Sequence, residues 1–147
     1  MTASFPAATT TSCSSLPRPR VELGERLRGM ANAAIDVSDG LAGDLAHILE
    51  RSRVGAVIEY SRLPRSAAFK SLKNSDLERD CVLSGGDDYE LLFTAAPARR
   101  GDLEALAREL GLPLTRIGAI QSGEARLTVL DAKGKAMRFK PGFDHFA

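Results

Sequence analysis

Apolar residues recur along this chain at two spacings, and the spacings mark out its elements. Leu41, Leu45, Ile48 and Leu49, with Ala42 and Ala46 beside them, repeat as one face of a helix that should end near Ser52. Residues 98–110 (ARRGDLEALAREL) place Leu103, Leu106 and Leu110 on one face, and Gly111 suits the C-terminal cap. Residues 21–30 predict a short helix, and 65–79 a partly helical stretch after the loop opened by Leu63-Pro64. Strands are expected at 33–35, from Val54 to Tyr60 and from Tyr89 to Ala95. Further strands are expected at 114–120, 126–130 and 136–139, with Asp131 to Gly134 turning the last two into a hairpin. Interleaved strands and helices with an antiparallel pair near the end predict an α+β fold, a mixed β-sheet packed with helices.

The first residues break this pattern. Residues 1–17 are rich in Ser, Thr and Ala, carry no charge, and lack the basic-then-apolar order of a secretory signal. A disordered or partial N-terminal tail is expected there, with one core-forming domain over residues 18–147.

Composition narrows the function classes. The chain has 147 residues, 44% hydrophobic and 27% charged, the profile of one soluble globular domain. A formal net charge of +1 gives no electrostatic case for nucleic acid or an anionic membrane. No apolar run approaches the roughly 20 residues of a membrane span. Two cysteines, Cys13 and Cys81, make neither a disulfide framework nor a zinc spacing, and a cytoplasmic setting fits them.

The candidate chemistry lies in two acidic, glycine-containing turns, Asp36-Val37-Ser38-Asp39-Gly40-Leu41 and Ser84-Gly85-Gly86-Asp87-Asp88-Tyr89-Glu90-Leu91. Each follows an apolar stretch that reads as a strand end. Grouped carboxylates suit Mg²⁺, a hard ion that takes oxygen ligands and is commonly shared with substrate phosphates. A helix N-terminus beside them offers backbone N–H groups to a phosphate. The plainer alternatives are helix capping, with Ser38 or Asp39 as the N-cap, and a solvated tight turn for Gly85 to Asp88. Asp44 reads as a first-turn charge complementing the helix dipole, Glu90 as an outward-facing strand residue, and His47 as a surface histidine.

Taken together, AAIDVSDGLAGDLAHIL, SGGDDYELLFT, RIGAI and the terminal GFDHF resemble the C-terminal domain of the thiamine-monophosphate kinase family. That family lies within the aminoimidazole ribonucleotide synthetase-like superfamily, and the resemblance runs from about Arg18 to Phe146. It implies that superfamily's C-terminal α+β fold and ATP-dependent, Mg²⁺-requiring phosphorylation of thiamine monophosphate to thiamine diphosphate. By the same resemblance Asp36 and Asp39 are metal ligands and Ser38 contacts ATP. Asp87 touches the thiamine moiety where the family usually has the longer Glu, and Phe143 places a ring against the substrate. It also implies that a separate N-terminal domain carries most of the nucleotide site, so that this chain alone is a truncated and inactive part with an apolar face left uncovered. The alternative is a non-catalytic binding or interaction module that docks on a separate kinase N-terminal half.

Overall fold

The computed structural model describes residues 20–38, 40–65, 78–84 and 90–139 in full, and residues 3–7 and 75–77 by backbone. Its strands are β1 (Ala3–Ala7), β2 (Ala31–Val37), β3 (Val54–Glu59), β4 (Glu90–Ala95), β5 (Thr115–Ser122) and β6 (Leu127–Leu130). Its α-helices are α1 (Val21–Arg26), α2 (Leu41–Ser52), α3 (Ser75–Ser84) and α4 (Arg100–Leu110). The strands form one six-stranded sheet in the order β2-β4-β1-β5-β3-β6. Neighbours are antiparallel except β3 and β6, which run parallel, so the sheet is mixed as expected.

Both faces of the sheet are covered. Leu92 packs with Leu41, Leu45, Ile48 and Leu49 of α2 and Leu83 of α3. Its neighbour Phe93 packs with Leu23 of α1 and Leu103 and Leu106 of α4. Successive strand side chains point to opposite faces, so an apolar run such as ELLFTA is the mark of a strand buried on both sides. Phe93 and Leu92 are both fully buried.

Three expectations change. Val82-Leu83 is not a strand end: it lies in the last turn of α3, where Leu83 is fully buried against α2 and the sheet. Four apolar or polar residues before a glycine pair carry no periodicity to tell helix from strand. Residues 136–139 are not a strand either; the turn at Asp131 forms, but only the bridge between Leu130 and Ala136 follows it. The Asp131 carboxylate accepts the N–H groups of Lys133 at 2.8 Å and Lys135 at 2.9 Å, which holds this turn without a longer ladder. At the other end of the chain, Ala3–Ala7 is a strand inside the sheet rather than part of a tail. Its Pro6 falls where the pairing with β5 shifts register between Phe5 and Ala7, a position that tolerates a missing N–H. Among the described residues Val21 is the exposed large hydrophobic.

Candidate functional site

Pairing of β2 with β4 brings the end of β2, where the first acidic segment begins, beside Glu90, near the end of the second. The register sets Ile35 opposite Leu92, Asp36 opposite Leu91 and Val37 opposite Glu90. The chain leaving β2 therefore starts beside the point where the second acidic segment enters β4. A second contact fixes the other end of that segment. Gly40 lies against Ser84, the last residue of α3, so closely that a Cβ on Gly40 would stand 2.8 Å from the Ser84 backbone. Ser84, at Gly40, and Glu90, at Val37, therefore both lie at this end of β2.

Asp36 and Ser38 are exposed at this junction. Ser38 is not the cap of α2. The N-cap is Gly40, at φ 106°, and no side chain caps it. Asp39, Asp87 and Phe143 lie outside the described residues, as do Asp88 and His145. Among the described residues no three His, Cys, Asp or Glu side chains group as a metal cage. A Mg²⁺ shared with phosphates commonly takes only one or two carboxylates and keeps its waters, and the exposed Asp36 carboxylate is a donor of that kind.

Two buried carboxylates organise the junction. Asp44 stands in the first turn of α2, as expected. It is 3% exposed, and its Oδ2 accepts the Ser38 N–H at 2.9 Å. Glu90 is 4% exposed rather than outward-facing, and Arg20 holds it in a two-pronged ion pair. Arg20 Nη2 donates to Oε1 at 2.9 Å and Nε to Oε2 at 3.2 Å. Such fork geometry is the strong form of a carboxylate contact. The signal for Glu90 was the apolar run after it: a strand buried on both faces leaves its first residue between layers. His47 is exposed, as expected.

Comparison with known proteins adds the family. The family model described as "AIR synthase related protein, C-terminal domain" matches residues 16–129. The chain is 44% identical over 133 residues to the thiamine-monophosphate kinase of Haemophilus influenzae, covering 88% of this chain and 40% of that protein. The crystal structure of thiamine-monophosphate kinase from Stenotrophomonas maltophilia K279a superposes with a TM-score of 0.76 at 40% identity, over 92% of this chain and 51% of that one. A further structure, AaThiL complexed with AMPPCP and TMP, superposes with a TM-score of 0.68 at 28% identity, over 99% of this chain and 51% of that one. The chain thus spans less than half the length of the curated relatives it matches. Residues 16–129, with the β2–β4 junction inside them, place the chain in the AIR synthase related C-terminal domain family, in the branch shared with the thiamine-monophosphate kinases.

Proposed function

We propose that this chain supplies one wall of a thiamine-monophosphate kinase site, which phosphorylates thiamine monophosphate to thiamine diphosphate with ATP. The observation that supports this best is the junction itself: Asp36 and Val37 of one acidic segment and Ser84 and Glu90 of another, far apart in sequence, lie at one end of the β2–β4 pair in a chain 44% identical to such a kinase. In this reading Asp36 and Asp39 hold Mg²⁺ and Ser38 contacts ATP. Asp87 meets the thiamine moiety and Phe143 stacks on the substrate. Mg²⁺ would neutralise charge on the phosphate oxygens, the largest demand that phosphoryl transfer makes of a site. The chain's own residues then have one task, to hold oxygen donors in fixed positions. In the same reading an N-terminal kinase half supplies the rest of the nucleotide site; this chain matches 40% of its Haemophilus influenzae relative. The setting of the reaction is cytoplasmic.

The test is an assay of thiamine diphosphate formation from ATP and thiamine monophosphate. The purified chain is measured alone and with the N-terminal half of the Haemophilus influenzae relative. No turnover alone and clear turnover with the added half is the expected result. Robust turnover by the chain alone would overturn the dependence on a second half. A stable complex without turnover would favour the non-catalytic interaction module.

A further inference from the structure

We propose that Asp44 is a positioning residue for the metal–phosphate turn: it holds the backbone that presents Asp36 and Ser38 and does not itself meet the ligand. The proposal rests on the kinase reading above.

A carboxylate only 3% exposed is an uncommon residue in a core, and it stays there only when hydrogen bonds replace its water. Asp44 uses both its side chain and its main chain on the same short turn. Its Oδ2 accepts the Ser38 N–H at 2.9 Å, and its own N–H donates to the Gly40 carbonyl at 3.0 Å. One residue thereby gathers both ends of the 38–40 turn. Asp44 is itself fixed, because Leu41, Leu45, Ile48 and Leu49 anchor α2 in the core. It lies in the first turn of α2, where a negative charge is favoured by the helix dipole. The hydrogen bond to a main-chain N–H needs an acceptor oxygen at that place; it does not need the charge. That separates positioning from ligation, where the charge is the point.

Three variants of the full chain make this separation: Asp44→Asn keeps an acceptor without charge, Asp44→Glu keeps the charge but moves it by one methylene, and Asp44→Ala keeps neither. The first readout is amide hydrogen exchange at Ser38. The second is line broadening at Asp36 and Ser38 by Mn²⁺ with AMPPCP, with the N-terminal kinase half added. Asp44→Asn should keep Ser38 protection and the Mn²⁺ response near wild type. Asp44→Glu and Asp44→Ala should speed Ser38 exchange by about tenfold, the scale of one net hydrogen bond, and raise the Mn²⁺ concentration needed. Protection elsewhere in α2 and β4 should persist; if Asp44→Ala unfolds, Asp44→Glu carries the comparison. The proposal is overturned if Asp44→Asn loses the Mn²⁺ response while Ser38 stays protected, because Asp44 then acts by charge. It is also overturned if Ser38 exchange is unchanged in Asp44→Glu. A wild-type chain with no Mn²⁺ response counts against the kinase reading alone, and the Ser38 exchange rates still decide the role of Asp44.

Discussion

Two independent demands meet at Gly40. Its φ of 106° and ψ of 146° lie where side chains are strained, and a Cβ there would meet the Ser84 backbone at 2.8 Å. Gly40→Ala should cost at least about 1–3 kcal/mol from the backbone alone and push α3 away from the first turn. A urea titration reads the first effect; an unchanged midpoint would show that Ser84 yields freely. Glu90 makes a different demand. Its carboxylate is buried against Arg20, so Arg20→Ala removes a two-pronged, charge-assisted contact and should cost about 1–3 kcal/mol. The double variant Arg20→Ala/Glu90→Ala should cost less than the two single changes summed, because both single changes remove the same contact. Additive costs would mean the pair is not coupled. Of these residue-scale features the sequence makes only part visible. Glycine beside carboxylates marks Asp36 and Ser38 as a turn worth attention. The partners of Asp44 and Glu90 depend on contacts with Ser38 and Arg20, and no spacing rule encodes the latter.

At the scale of elements, α2 and α4 are readable because long apolar periodicities have one solution. Gly111 at φ 62° closes α4 as its position in the sequence suggests. Short segments are less readable. Ala3–Ala7 contains a proline and no β-branched residue, yet it stands between β4 and β5. Its place follows from pairing with two distant strands. Deleting residues 1–7 should therefore lower the urea midpoint, since both neighbours lose ladder partners; an unchanged midpoint would show that β4 and β5 do not need it. The Asp131 turn is held electrostatically. The Lys135 N–H, opposed by desolvation and helped by the Lys133 N–H, holds the Asp131 carboxyl below its ordinary value of 3.8. The folded-state value is depressed, so this contribution is present above the ordinary value and is lost as pH falls through the lowered one. The Lys135 amide shift should titrate with a midpoint below 3.8, and Asp131→Asn should abolish that step.

On the scale of the whole molecule, the sheet acts as a rigid plate with helices on both faces, and its β2–β4 end carries the candidate chemistry. Among the described residues no helix is long and apolar enough to cross a membrane. The fold class was legible because the periodicities and turn residues agreed. The closeness of Asp36 to Glu90 and of Gly40 to Ser84 was not, because it is a property of β2–β4 register and of helix packing. Paramagnetic broadening tests whether the two segments serve one metal–nucleotide site. The isotopically labelled chain, with the unlabelled N-terminal kinase half, is titrated with Mn²⁺ and AMPPCP while amide line widths are followed. Asp36, Ser38, Ser84 and Glu90 should broaden together at the same Mn²⁺ level. Ala31 and Ala95, paired at the far end of β2 and β4 about 16 Å away at the rise of a strand, should stay sharp until later. Broadening confined to one turn, or spread evenly along both strands, would contradict a single site built from the two turns.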